Sequence, residues 1–130
     1  AAPIEQRVRR GIEFLFDNIA ANPGLASLVL REAGGEGERA DCVETRLMRP
    51  NLEFYRPLWE EAMHAGIFGQ ADVVVAHAAL IGAISMLVSS RHSISRLAGE
   101  EMDVGRLREA FCRGVIGRGA GQAEPPPTSP

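Results

Sequence analysis

Residues 72–88 read DVVVAHAALIGAISMLV, and this stretch is the most informative about the fold. Asp72 is a favourable N-cap residue, because its carboxylate can accept hydrogen bonds from the free N–H groups of a first helical turn. After it, only His77 and Ser85 interrupt a run of apolar residues. A helix that is apolar all round must be covered on most of its sides. We therefore predict a buried helix from Asp72 to Ser90.

Two further helices are predicted before this one. Apolar residues recur there at steps of three and four, which is the spacing of one helical face. Pro3 suits the first turn of the first helix, and the Asn-Pro-Gly sequence at 22–24 ends it at about Ala21. A short second helix covers residues 25–32 and must end at the glycine-rich residues 34–37, which are the best candidate for a mobile loop.

A third and longer helical pattern covers residues 39–66 and contains two prolines. Pro50 and Pro57 each remove an intrahelical hydrogen bond and crowd the preceding turn. We therefore expect a kink or a break into two helices near one of them. Gly66 is the expected end of the pattern, since glycine commonly follows the last turn of a helix.

The sequence after the buried helix predicts one more helix and a tail. Polar residues 89–93 interrupt the pattern and lead into a structured connection, and Asp103 is the expected N-cap of an amphipathic helix that reaches about Arg118. Residues 119–130 contain four prolines and no apolar period, so they are predicted to be disordered. The expected organisation is one all-α domain at 1–118, with five or six helices, and a proline-rich tail at 119–130.

Composition limits the possible functions. A chain of 130 residues is long enough for one hydrophobic core. Its formal net charge of −3 argues against a surface that binds the DNA backbone, because such surfaces carry clustered basic side chains. Cys42 and Cys112 lie far apart without CxxC spacing, which is typical of a reduced protein of the cytoplasm. We recognise no secretory signal and no membrane span.

Three stretches resemble, in their order and spacing, the C-terminal half of TetR-family transcriptional regulators. They are FLFDNIAANPGLASLVLREAGG at 14–35, LWEEAMHAGIFGQADVVVAHAALIGAI at 58–84 and DVGRLREAFCRGVIGR at 103–118. The resemblance implies a helical bundle in which the earlier helices enclose a pocket for a small effector. It also implies that the last two helices pair with those of a second copy to form a four-helix interface.

The resemblance extends to partners. It implies a homodimer that senses a small, mostly apolar effector, without a cofactor and without a membrane. TetR-family proteins bind DNA through an N-terminal three-helix domain, which we expect to be absent from this chain. DNA binding is therefore implied only through that missing domain.

The buried helix and the last helix are the predicted dimer-forming elements. Gly82, with Ala79 and Ala83 beside it, would let another helix approach closely. The alternative is that residues 73–88 form the central core helix of a monomer. Nine positions are predicted to lie in the dimer interface: Val73, His77, Leu80, Ile81, Ile84, Val88, Leu107, Phe111 and Val115.

Aromatic residues near the two prolines are the candidates for the effector pocket, because such pockets are mostly apolar. Packing in the core is the alternative for each of them. Arg46, Arg49 and Arg56 approach the same region, and they either clamp an anionic effector or form a solvated stripe with Glu44 and Glu53. The predicted ligand-binding residues are Phe16, Phe54, Trp59, Met63 and Arg56.

We predict no catalysis and no metal site. A catalytic site needs a nucleophile, a base and a group that orients them, and the sequence does not bring such a set together. Glu60 and His64 are spaced for a shared helix face, but a solvated face is the simpler interpretation. His77 among apolar residues is typical of a hydrogen-bonded core or interface histidine. The alternative functions are a self-standing helical dimerisation or adaptor module, and a small helical enzyme.

Overall fold

The structure is a computed structural model that describes residues 2–116, and the prediction of an all-α fold is confirmed. The residues predicted as a disordered tail, 119–130, lie outside the described part of the chain. The helices, in chain order, are α1 (Ile4–Ala21), α2 (Pro23–Glu32), α3 (Glu38–Val43), a π-helical turn (Glu44–Met48), α4 (Arg49–His64), α5 (Val73–Ser89), α6 (Arg91–Ala98) and α7 (Val104–Ile116).

The first two helices end where the sequence predicts, and α2 begins at Pro23, two residues before its predicted start. Pro3 lies immediately before α1, and its carbonyl accepts the first helical hydrogen bond, from the Arg7 N–H at 3.0 Å. Asn22 alone separates α1 from α2, because Pro23 has no N–H with which to continue the first helix. α2 therefore turns back over the body of the molecule and contacts α1, α3 and α5.

The third helical pattern is interrupted at the first of its two prolines. The N–H of Arg49 bonds to the carbonyl of Glu44, five residues back, and Pro50 supplies no N–H at all. The π-helical turn is the form that this interruption takes, and it divides the predicted helix into α3 and α4. Pro57 lies inside α4 without ending it.

Gly66 ends α4 as predicted. Its φ of +79° is the left-handed conformation that glycine adopts without a steric penalty. The N–H groups of Gly66 and Ile67 bond back to Met63 and Ala62 at 3.1 and 2.9 Å, which is the Schellman pattern of helix termination. Ile67 is thereby returned to the core beside Ala62.

Asp72 caps α5, as expected, by accepting hydrogen bonds from the N–H groups of Val74 and Val75 at 2.8 and 3.3 Å. Asp103 has the same role at α7, where its carboxylate accepts from the N–H of Arg106 at 2.9 Å. The predicted connection between these helices contains α6. Among residues 2–116, no single helix is long and apolar enough to cross a membrane; α5 and α6 reach that length only together, with an 80° bend between them.

The core lies where α1, α4, α5 and α7 meet. Trp59 of α4 is fully buried at its centre, and each of the other three helices contributes one apolar face. Two exposed ion pairs cross the helix contacts, Arg7 with Glu61 and Arg108 with Asp17. Exposed pairs of this kind contribute at most about 1 kcal/mol each, so apolar burial holds the bundle together.

Candidate functional site

One face of α5 borders an apolar cavity of about 260 Å³. The opposite wall is α2, and the end of the π-helical turn and the start of α4 close one side. We call this space the α2–α5 cavity. It is lined by Val29, Leu30, Ala33, Met48, Leu52, Val74, His77, Ala78, Ile81 and Gly82.

A second cavity, of about 270 Å³, lies beneath the first turn of α2 and shares Ile81 with the first. We call it the α1–α2 cavity. Its lining includes three asparagines, whereas the α2–α5 cavity has only the ring of His77 as a polar group. Neither lining contains a charged side chain. The α1–α2 cavity is lined by Leu15, Asn18, Ile19, Asn22, Leu25, Ala26, Asn51 and Ile81.

A chain of three hydrogen-bonded side chains lies between the core and the two cavities. The indole N–H of Trp59 donates to Nδ1 of His77 at 2.9 Å, and Nε2 of His77 lies 2.8 Å from Oδ1 of Asn51. An indole nitrogen can only donate, so Nδ1 must be the unprotonated nitrogen and Nε2 must carry the hydrogen. The neutral tautomer of His77 is therefore fixed by Trp59, and Nε2 donates to Asn51.

Burial keeps this histidine neutral. His77 is only 5% exposed, and desolvation lowers its pKa below the ordinary value of 6.5. The ring of Tyr55 stacks on Trp59 with a centroid separation of 5.2 Å and an angle of 5°. Burial raises the pKa of Tyr55, and its neighbour Asn18 opposes that rise. The stacked rings of Tyr55 and Trp59 thus lie on the core side of His77.

None of the five residues predicted to bind a ligand lines either cavity. Phe16, Trp59 and Met63 are buried in the core, so the alternative of core packing holds for them. Phe54 is 68% exposed and packs on Phe14 at the surface. Arg56 pairs with Glu53 on the outside of α4. The assignment of these five residues to a ligand site stays a prediction.

The charged residues of α4 and its neighbourhood form a solvated stripe. Arg49 bonds to Glu44 at 2.8 Å and Arg56 to Glu53 at 3.2 Å, and all four side chains are at least one-third exposed. This is the second of the two alternatives for the arginines. Within residues 2–116, no group of three or more His, Cys, Asp or Glu side chains is arranged to hold a metal ion.

The face of α5 that is turned away from the cavities borders an open groove of about 260 Å³ beside α7. We call it the α5–α7 groove. Small side chains form its floor, and Val75 and Met86 of α5, which are 63% and 61% exposed, extend the apolar surface on the same side of the helix. The groove is lined by Phe68, Ala76, Ala79, Leu80, Ala83, Phe111 and Val115.

The predicted interface residues separate into four groups. Leu80, Phe111 and Val115 line the α5–α7 groove, whereas Ile81 lines the two cavities. Val73 and Val88 are half-buried and pack against the core. The side chains of the remaining three are buried within the chain, and their place in an interface stays a prediction: His77, Ile84 and Leu107.

The small residues of α5 divide in a way that the sequence did not predict. Ala79 and Ala83 line the groove, as expected for a close helix approach, but Gly82 lines the α2–α5 cavity. Sequence reasoning also missed Asn51 and Ala78. The available signal was the 100° step of a helix, which places Ala78 and Gly82 on one side and Ala79 and Ala83 on another.

Comparison with known proteins adds one match. A family model described as Tetracyclin repressor-like, C-terminal domain, matches residues 5–116. No curated protein and no solved structure matches the chain. The matched range extends from the first turn of α1 to the end of α7, so it includes every element that forms the cavities and the groove.

Proposed function

The chain belongs to the tetracycline repressor-like C-terminal domains, which are ligand-binding and dimerisation modules of transcriptional regulators, and from this membership we propose two specific roles for it. The α2–α5 cavity binds a small, mostly apolar effector. The α5–α7 groove and its exposed apolar margin bind a second copy of the chain. Domains of this family are regulatory rather than catalytic.

The observation that carries the proposal is the double use of α5. One side of the helix lines the cavity through Ala78 and Gly82, and another lines the groove through Ala79 and Ala83. The helix is short of polar residues on both sides, which explains why its sequence is apolar all round. A single rigid helix is therefore in contact with the proposed effector and with the proposed partner.

The chemistry of the α2–α5 cavity supports an apolar effector. Its lining is aliphatic apart from His77, whose two nitrogens are already hydrogen-bonded. The volume of about 260 Å³ lies near the lower end of the range for small-molecule pockets, about 300–1,000 Å³. A compact hydrocarbon or aromatic molecule would gain free energy there by leaving water.

The surface of α5 and α7 supports a symmetric dimer. Exposed apolar patches on a soluble protein commonly mark interaction sites. Two copies related by a two-fold axis would place α5 and α7 of each against those of the other, and the alanines in the groove would permit close helix packing. The apolar margin around Val75 and Met86 would then be removed from water.

Effector binding would be coupled to the arrangement of the two subunits. An effector that binds one position of α5 better than another shifts the population towards that position. Since α5 also contacts the partner, the shift would alter the geometry in which the dimer holds the rest of the regulator. The coupling would be reciprocal, so that dimerisation would change effector affinity by the same factor.

The first test is a titration with N-phenyl-1-naphthylamine, an uncharged apolar probe that fluoresces in apolar surroundings. The wild-type chain should bind it, and Ala78→Leu should weaken binding at least tenfold because the larger side chain fills the cavity. Ala98→Leu is the matched control, since Ala98 lies at the exposed end of α6 and lines neither cavity.

Each outcome has a clear meaning. Binding that is lost only in Ala78→Leu supports the effector site. If both variants bind as the wild type does, the probe lies elsewhere and the proposed site is wrong. If the wild-type chain binds no probe but is a dimer, the self-standing dimerisation module becomes the better account.

A further inference from the structure

The polar chain of Trp59, His77 and Asn51 determines which way the Asn51 amide faces. Trp59 fixes the hydrogen of His77 on Nε2, and this nitrogen then needs an acceptor. Asn51 must present its oxygen to it. Asn51 also lines the α1–α2 cavity, and its NH₂ group is consequently the part of the amide that can donate to a ligand there.

The surroundings of this NH₂ group are polar and uncharged. Asn18 and Asn22 line the same cavity, and the NH₂ group of Asn22 donates to the backbone carbonyl of Asn18 at 3.0 Å. Tyr55, a residue that is only 2% exposed, has Asn18 as the neighbour that opposes the rise of its pKa. Within residues 2–116 the hydroxyl of Tyr55 is one of two buried side-chain polar atoms without a hydrogen-bond partner.

We propose that the α1–α2 cavity is a polar subsite that accepts the neutral, hydrogen-bond-accepting end of the effector, such as a ketone or ester oxygen, with the NH₂ group of Asn51 as donor. The apolar body of the same molecule occupies the α2–α5 cavity, which is adjacent and shares Ile81. This inference rests on the proposed effector site and adds the chemical class of its ligand.

The proposed class of ligand, a neutral molecule with a hydrogen-bond acceptor, excludes ions for a physical reason. Neither cavity is lined by Arg, Lys, Asp or Glu, so a carboxylate or an ammonium would lose its hydration without gaining a counter-charge. A neutral acceptor loses far less on transfer and recovers part of the loss from the Asn51 hydrogen bond. At Asn51, a donor-only end group would meet the NH₂ group and form no hydrogen bond with it.

The test compares three nine-carbon compounds as competitors of N-phenyl-1-naphthylamine: 2-nonanone, nonanoate and nonylammonium. The wild-type chain should bind 2-nonanone at least about tenfold more tightly than either ion. In Asn51→Asp the oxygen that accepts from His77 is kept, but the NH₂ donor becomes a second carboxylate oxygen. The affinity for 2-nonanone should then fall about tenfold and that for nonylammonium should rise.

Gln70→Glu is the matched control, because it makes the same amide-to-carboxylate change on a side chain that lines neither cavity. It should leave all three affinities as in the wild type. Retained probe binding and an unchanged thermal midpoint show that Asn51→Asp folds; if it does not, Asn51→Ser, which also lacks the NH₂ group, replaces it.

The outcomes separate the two proposals. If the wild-type chain binds the probe but shows no preference for the ketone, or if the preference survives in the Asn51 variants, the polar subsite is wrong and the apolar effector site stands. If the wild-type chain binds neither the probe nor the ketone, both are overturned. Reversal of the ketone and ammonium preferences in Asn51→Asp alone supports the subsite.

Discussion

At the scale of single residues, His77 links the core to the proposed binding site. Its ring joins Trp59, at the centre of the core, to Asn51, at the edge of a cavity, through bonds of 2.9 and 2.8 Å. Each neutral hydrogen bond of this kind contributes about 0.5–1.5 kcal/mol, but leaving one partner buried and unpaired costs about 1–3 kcal/mol. The three residues therefore add little to the net stability, but they penalise any packing arrangement that leaves one of them unpaired.

His77 makes the stability of the fold dependent on pH. Burial lowers its pKa in the folded state, while an unfolded histidine titrates near 6.5. Below about pH 6.5 the unfolded chain takes up a proton that the folded chain does not, so this contribution is complete above that pH and is lost as the pH falls towards the folded pKa. The side chains of Trp59, Tyr55 and Asn51 around the ring are uncharged and do not compensate.

We therefore expect the free energy of unfolding of the wild-type chain to fall by about 1 kcal/mol more between pH 7.5 and 5.5 than that of His77→Gln. The measurement is urea unfolding at several pH values and one protein concentration. His92→Gln removes an exposed histidine of α6 and should retain the wild-type slope. Equal slopes for the wild type and His77→Gln would mean that His77 titrates normally in the fold.

The sequence predicted that His77 is a hydrogen-bonded histidine, but it did not predict which residues bond to it. A lone histidine among apolar residues must be hydrogen-bonded, and it is. Its place in the dimer interface stays a prediction. Because α5 is apolar all round, periodicity does not indicate which face meets α4. The partners Trp59 and Asn51 are 18 and 26 residues away in the chain, a separation that local patterns do not report.

At the scale of elements, the ends of the helices were predictable and their faces were not. Asp72, Gly66 and Pro3 act through hydrogen bonds or backbone angles within a few residues, so their roles follow from the local sequence. The orientation of α4 depends instead on how it packs against α1 and α5. For this reason the sequence did not predict that Met48 and Leu52 line a cavity.

A substitution at Gly82 can separate the effect of α5 on stability from its effect on ligand binding in the α2–α5 cavity. A Cβ at this position would have no atom within 4 Å, and a helix-interior glycine costs about 1 kcal/mol relative to alanine. Gly82→Ala should therefore raise the free energy of unfolding by about 1 kcal/mol, as measured by urea unfolding. The added methyl group enters the α2–α5 cavity and should also weaken binding of N-phenyl-1-naphthylamine.

Gly11→Ala provides the comparison for this prediction. Both glycines lie inside helices, but a Cβ at Gly11 would be 2.5 Å from Cδ2 of Leu58, which would have to move. Its gain in stability should be smaller than that of Gly82→Ala, and it should not affect probe binding. A loss of stability in Gly82→Ala, or a larger gain at Gly11, would contradict the open space beside Gly82.

At the scale of the whole molecule, the outer side of α5 leaves an apolar surface uncovered. The core uses one face each of α1, α4, α5 and α7, and α5 has a further apolar face towards the solvent. Ala79, Ala83, Val75 and Met86 remain on the outer side of α5. Packing within the chain therefore does not satisfy the hydrophobicity of residues 73–88, which disfavours the alternative of a core helix in a monomer.

We expect the wild-type chain to be a dimer at low micromolar concentration, measured as molar mass by light scattering across a dilution series. Ala79→Glu should raise the dimer dissociation constant at least about tenfold, because it would bury an unpaired carboxylate in the α5–α7 groove. Ala98→Glu introduces the same charge at the exposed end of α6 and should leave the mass unchanged.

Ala78→Leu should also remain a dimer although it loses the probe, because its side chain faces the cavity. A wild-type monomer would reject dimerisation by this chain under these conditions, and a stable Ala79→Glu dimer would place the interface away from the groove.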